Sequence, residues 1–247
     1  MLAALAAFRA DAGYVTVAAP ESTLPVLEAG VLEAVKRPLP EDSSGRLLPR
    51  AADAVLEAAE RASAVAIGPG LGRSDGTRDL VRLLLEQLEL PVVVDADALW
   101  ELEPAPRAAA TVLTPHAGEL ASLLGTSARE IDAHRLQAVR RAASLFGATV
   151  LLKGADTIVA APREGVLVAG YGLPVLATAG TGDVLTGVVA AFLAKGLEPQ
   201  LAAAAAAVAH GLASRLVEPH VGVVAGDLLP GIRRALAGEG HDLSPLP

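Results

Sequence analysis

Along the chain, short runs of apolar and β-branched residues alternate with longer stretches rich in alanine and leucine. "YVTVA" (14–18), "AVAIG" (64–68), "PVVVDA" (91–96), "TVLTP" (111–115) and "TVLLKG" (149–154) are continuously apolar. That is the pattern of strands buried on both faces. Helical periods fall between them at about 49–62, 75–88, 116–124 and 128–146. The alternation predicts a parallel sheet covered by helices. After Lys153 the rhythm changes: "TIVAAP" and "GVLVAG" predict two neighbouring antiparallel strands, followed by helices at about 182–195, 200–217 and 225–237. The stretch "KRPLPEDSSGRLLP" (36–49) predicts an exposed loop. No internal repeat is visible, and no linker divides the 247 residues, so one domain is expected.

Composition changes this picture little. The hydrophobic fraction of 52% comes largely from alanine. The longest apolar candidate, "LAAAAAAVAHGLASRLV" (201–217), is interrupted by His210 and Arg215 and reads as a tightly packed core helix, not a membrane span. The opening "MLAALAAFRADAG" has no basic residue ahead of its short apolar run, so no secretory signal is expected and a cytoplasmic setting fits. The net charge of −8 leaves no basic footprint for nucleic acid or an anionic membrane. Cysteine is absent, which excludes disulfides, thiolate catalysis and thiolate metal sites. Lysine occurs only at 36, 153 and 195.

In open α/β sheets ligands gather at the carboxyl ends of the strands. Four unusual stretches begin there: "GPGLGRS" (68–74), "DADAL" (95–99), "TPHAGE" (114–119) and "KGADT" (153–157). The glycines of the first allow either a tight turn or close approach to a large ligand. Their GxGxG spacing is not the dinucleotide fingerprint. In "DADAL", one carboxylate can face a ligand or metal while Asp97 caps the next helix. In "TPHAGE", Thr114 and Pro115 are helix-entry signals and Glu119 can complete a capping arrangement. His116, disfavoured as an imidazolium at a helix start, can hydrogen-bond a ligand or serve as a partly buried structural residue. The Lys153 ammonium should emerge at a strand end, where it can meet a phosphate or simply reach solvent.

The stretch "ATAGTGDVLTG" (177–187) carries the strongest chemistry. It leads into an apolar helix that stops at Lys195 and Gly196, so the amides of Thr181, Gly182 and Asp183 should be free in the first turn. Such a turn accepts an anion. Capping alone explains an aspartate there, but it does not require glycines on both sides of Thr181. A phosphate seated on the amides, beside a carboxylate that removes a proton from an attacking hydroxyl, does.

This box resembles that of the ribokinase-like superfamily. The ordered set "GPGLG", "DADAL", "TPHAGE", "LLKGADT", "ATAGTGDVLTG" and "AHGLAS", spread across residues 13–237, resembles the ADP- or ATP-dependent NAD(P)H-hydrate dehydratase family. The resemblance implies an α/β, ribokinase-like fold: a mostly parallel central sheet flanked by helices on both faces, in one domain over residues 1–247. It implies a lyase of metabolite repair that dehydrates the S form of hydrated NADH or NADPH, with ADP or ATP as co-substrate and Mg2+. The hydrate hydroxyl is phosphorylated and phosphate is then eliminated. In that scheme Asp183 is the catalytic base. Lys153, Gly154, Ala155, Asp156, Thr157 and Gly182 contact the adenine nucleotide, and Gly72, His116 and Asp183 face the hydrated dinucleotide. No metal ligand is assigned. Members are commonly homo-oligomers, often tetramers.

Three departures stand beside the match. Ala117 replaces a usual proline, and "LPVLAT" (173–178) stands where the family has "NPGMAT". The family also begins with a strand and a glycine-rich loop, whereas "MLAALAAFRADAG" corresponds to the helix after them, so that strand and part of the substrate loop are expected to be missing. The competing readings are a ribokinase-like kinase for a vitamin-precursor alcohol and a non-catalytic nucleotide-binding relative.

Overall fold

The computed structural model describes residues 1–105 and 107–239. A two-stranded parallel sheet pairs β1 (Thr16–Pro20) with β2 (Val35–Leu39). A six-stranded sheet runs in spatial and chain order through β3 (Val65–Ile67), β4 (Val92–Val94), β5 (Thr111–Leu113), β6 (Thr149–Leu152), β7 (Thr157–Ala160) and β8 (Val166–Ala169). The strands from β3 to β6 are parallel, and β7 and β8 turn antiparallel as the change of rhythm after Lys153 predicts. The helices are α1 (Leu2–Arg9), α2 (Leu24–Gly30), α3 (Ala52–Ala59), α4 (Asp75–Gln87), α5 (Ala117–Leu124), α6 (Ala128–Ala133), α7 (Arg135–Phe146), α8 (Thr181–Ala194), α9 (Pro199–Arg215) and α10 (Leu228–Leu236).

Successive strand residues point to opposite faces, so each central strand feeds two cores. Val92, Val94, Leu113, Val150 and Leu152 pack with α3, α4, α5 and α7. Val93, Val112, Leu151 and Val159 pack with α1, α8, α9 and α10 on the other side. The sheet is therefore the middle of three layers. Replacing a fully buried side chain such as Leu151 by alanine costs about 2–5 kcal/mol. The alanine-rich α9 buries Ala202, Ala203, Ala206 and Ala207 against this second face. No helix among the described residues is long and apolar enough to cross a membrane.

Three expectations need correction. Residues 36–49 are not simply a loop: their start lies in β2, and Leu39 and Leu47 are buried at 2% and 4% exposure. Pro38 and the surrounding charges conceal the strand, which stands outside the large sheet and needs only one paired edge. Strand β1 is not buried on both faces, because it lies in the two-stranded sheet and stays partly exposed along its length. The helix expected over 128–146 breaks at His134, where φ −134° and ψ 41° leave the helical region.

Candidate active site

Strands β3 to β6 lie side by side and parallel, so their carboxyl ends form one rim. All four chemistry-bearing loops meet along it. At the β3 end, Gly68 has φ +133°, and a side chain there would run into the Asp95 carbonyl. This first glycine serves chain-to-chain approach. Further along the loop, the Gly72 amide donates to Asp97 Oδ2 at 3.0 Å and Arg73 Nε donates to Oδ1 at 3.0 Å. Asp97 thus ties down the glycine loop and does not cap a helix. It lies inside the single 3-10 turn Ala96–Leu99, too late in the turn to act as its cap.

At the β5 end, His116 is the N-cap of α5. Its Nδ1 accepts from the amides of Gly118 (3.0 Å) and Glu119 (3.2 Å), while the Glu119 carboxylate accepts from the His116 amide at 2.8 Å. The expected capping arrangement is therefore complete. An accepting Nδ1 places the ring proton on Nε2, which lies 3.5 Å from Glu119 on a side chain that is 59% exposed. Gly118 leaves room for the folded-back ring, since a Cβ there would stand 2.9 Å from His116 Cε1.

The centre of the rim is a buried polar cluster. Asp95, at the end of β4 and 1% exposed, accepts from Lys153 Nζ at 2.8 Å and from Thr186 Oγ1 at 2.6 Å. Burying a charge is costly unless it is paired and hydrogen-bonded, and both conditions are met. Lys153 Nζ also lies 3.8 Å from Glu119 Oε2, and its backbone amide donates to Pro115 at 2.9 Å. A Cβ on Gly182 would stand 3.3 Å from the same ammonium, which places Lys153 against the first turn of α8.

That turn differs from expectation in one detail. The Thr181 amide donates to the Thr178 carbonyl at 3.3 Å and so is not free. The threonine hydroxyl wraps the preceding turn back the same way, donating to the carbonyls of Leu176 (2.6 Å) and Thr178 (2.8 Å). The amides of Gly182 and Asp183 find no acceptor among the described residues and form a two-amide anion seat. The Asp183 carboxyl beside them is half-buried. Burial, and next the charge of Asp95, raise its pKa above the usual carboxylate value, with the Met1 amino group and Lys153 opposing and Asp97 adding.

Behind this turn, His210 of α9 is 6% exposed, and its Nε2 has no partner. Burial pushes its pKa down to about 4, against the opposing effect of the Thr181 backbone, so the ring is an uncharged wall of the site. At the far end, Arg135 at the start of α7 donates to the Asp156 carbonyl at 2.8 Å, and its guanidinium lies against Gly154. Gly154, Ala155 and Asp156 are exposed on this anchored loop, and Thr157 opens β7. The rim therefore gathers Gly72, His116, Lys153, Gly182 and Asp183 around one cluster, with residues 154–157 extending it to one side. Sequence reading missed Asp95 as the clamp of Lys153, as well as Thr186 and Arg135. Thr186 carried a usable signal, a hydroxyl in an apolar helix three residues after Asp183, whereas Arg135 sits in an unremarkable helical pattern.

A mostly parallel sheet between two helical layers, with an anion seat and a carboxylate at the start of α8, defines a ribokinase-like protein. The chain belongs to the NAD(P)H-hydrate dehydratase family, whose sequence profile matches residues 1–235. It is 43% identical over 236 residues to the bifunctional NAD(P)H-hydrate repair enzyme of Moorella thermoacetica, a match covering 92% of this chain and 44% of that protein. It is 35% identical over 226 residues to the ADP-dependent (S)-NAD(P)H-hydrate dehydratase of Xanthomonas campestris, covering 91% of this chain and 77% of that one. The chain thus spans less than half the length of the bifunctional relative. Among solved structures, the ADP/ATP-dependent NAD(P)H-hydrate dehydratase of Bacillus subtilis, co-crystallized with ATP/Mg2+, superposes with a TM-score of 0.82 at 26% identity, over 96% of this chain and 83% of that one.

Proposed function

We propose that this chain dehydrates the S form of hydrated NADH or NADPH at the expense of an adenine nucleotide. One observation carries the reading: the Asp183 carboxylate shares a helical turn with two unengaged amides and lies beside the Lys153 ammonium. In the first stage Asp183 takes the proton of the hydrate hydroxyl while that oxygen attacks the terminal phosphorus of the nucleotide. The bond to the bridging oxygen breaks, and the nucleotide leaves one phosphate shorter. The amides of Gly182 and Asp183, with Lys153, offset charge on the transferring group. In the second stage the carbon–oxygen bond of the phosphate ester breaks, phosphate departs, and a proton is released from the neighbouring ring carbon, restoring the double bond.

Within this reading Gly154, Ala155, Asp156 and Thr157 form the adenine-nucleotide side, while Gly72 and His116 face the hydrated dinucleotide. Among the described residues no three His, Asp or Glu side chains are grouped to hold a metal, and no step is assigned to the ion. Magnesium commonly binds through nucleotide phosphates and one or two carboxylates. The same reading takes the protein to be a cytoplasmic homo-oligomer, a tetramer, which light scattering after gel filtration tests.

The function is tested by incubating the protein with hydrated NADH or NADPH and either ADP or ATP. The expected products are the dihydronicotinamide, followed by its near-ultraviolet absorbance, and free phosphate in equal amounts. A stable phosphate ester of a vitamin-precursor alcohol, with no dihydronicotinamide formed, would replace the reading with that of a kinase. Nucleotide binding without phosphate release would reduce the chain to a binding protein.

A further inference from the structure

We propose that Asp95 is a positioning residue for the phosphoryl transfer: its two oxygens clamp Lys153 and Thr186 and so hold the ammonium against the first turn of α8, beside Asp183. The proposal rests on the reading of Asp183 as the base. The clamp joins the ends of two strands that are not paired with each other to a helix packed on the sheet. Asp95 ends β4, Lys153 follows β6 with β5 lying between them, and Thr186 is on α8. Residues three apart on a helix share a face, so the bond at Thr186 fixes the face that carries Asp183. The second carboxylate near Lys153, Glu119 at 3.8 Å, is already engaged by the His116 amide. Without Asp95 the ammonium is free to swing toward Glu119 and away from Gly182. Misplacement on that scale is enough to lower a transfer rate by about a hundredfold.

The clamp also sets the charge felt by the base. Asp183 is faced by Asp95, Asp97, Lys153 and the Met1 amino group, with Glu119 behind Lys153 and the uncharged His210 behind Thr181. Of the charges, that of Asp95 has the largest effect in raising the proton affinity of Asp183.

Asp95→Asn keeps the outline of the clamp but removes its charge. The new amide can still meet Thr186, but its neutral oxygen holds the Lys153 ammonium by a weaker bond, so the ammonium is no longer fixed against the first turn of α8. Two measurements on the intact chain decide the matter. In carbon-detected NMR of labelled aspartates, which needs no turnover, the Asp183 titration is expected to move to lower pH; an unmoved titration overturns the clamp. In steady-state assays kcat is expected to fall about a hundredfold, a larger loss than that in nucleotide affinity. A parental kcat, or equal losses in kcat and affinity, overturns it as well. A parent protein that releases no dihydronicotinamide would instead sink the proposed reaction, and the titration would still judge the clamp. Should Asp95→Asn not fold, Thr186→Val opens the clamp from the other side. A fall of about tenfold in kcat, larger than any loss of nucleotide affinity, is expected, and parental turnover contradicts the proposal.

Discussion

Two regions of this molecule are built from parallel strands, and only one has the makings of an active site. At the rim of the large sheet, Val92, Val93 and Val94 are fully buried, and the polar residues that follow buried strands are forced to find partners. In the β1–β2 unit most strand positions stay partly exposed, and apolar side chains nearby face outward: Tyr14 is 70% exposed and Leu32 75%. A two-stranded sheet has little stability of its own and leans on the helices beside it. The contrast shows where chemistry is expected in such a fold. A carboxylate held at 1% exposure by two donors has its position dictated by the core, whereas the charges on the small sheet, Lys36 and Arg37, pair with exposed glutamates, Glu28 and Glu57.

The largest effect expected is at Asp183. Asp183→Asn should lower turnover at least about a hundredfold while nucleotide binding, read by calorimetry, is kept. Near-parental turnover would reduce Asp183 to a helix residue and erase the functional side of the contrast. The pH dependence carries a sign. Only the ionised carboxylate accepts a proton, and its pKa is raised by burial and by Asp95, so turnover of the parent should decline on the acid side at a pH above the ordinary aspartate range.

His210 sharpens the comparison through stability. Its pKa is depressed from 6.5 to about 4 in the folded chain, so the unfolded chain binds the extra proton first as pH falls. Stability is complete above 6.5 and declines toward 4, by on the order of 3 kcal/mol. Thermal melts across that range should show the decline, and His210→Leu should flatten it. An acid sensitivity unchanged in the variant would mean that another group is responsible.

A smaller effect belongs to Lys153. Lys153→Ala is expected to weaken nucleotide binding by about 1.5–3 kcal/mol, the worth of a charge-assisted hydrogen bond, and to affect hydrated-dinucleotide binding less. Equal nucleotide affinity in calorimetry would remove Lys153 from the phosphate side. The smallest effect is expected in the other region: Leu32→Ser should change stability by no more than about 0.5 kcal/mol, as exposed positions usually do. A large destabilisation in chemical denaturation would show that this apolar face is covered in solution, and the contrast between the regions would narrow.

What could be read from the sequence follows the same division. Strands β3 to β6 and the loops after them were legible because continuous apolar runs mark burial, and the residues that end them are chemically unusual. The turn to antiparallel β7 and β8 was legible from their close spacing. Strand β2 was not, because a half-open strand needs only one apolar face and "KRPLP" shows none. At the site, Gly182, Asp183 and Lys153 were legible one by one, since each is odd in its local setting. Their connection through Asp95 was not, because the residues it joins are separated by 58 and 91 positions and only the sheet order brings them together. The Thr181 amide was misjudged because the bend that occupies it belongs to residues 176–178, whose pattern gave no warning.

The proposed reaction turns on the attack of the hydrate hydroxyl, activated by Asp183, on the nucleotide's terminal phosphorus. A hydrated NADPH carrying heavy oxygen in that hydroxyl distinguishes this attack from a simple loss of water alongside nucleotide hydrolysis. Mass spectrometry of the products should find the heavy oxygen in the released phosphate, because the oxygen that attacks phosphorus leaves with it. Heavy oxygen recovered in water, with unlabelled phosphate, would contradict the account.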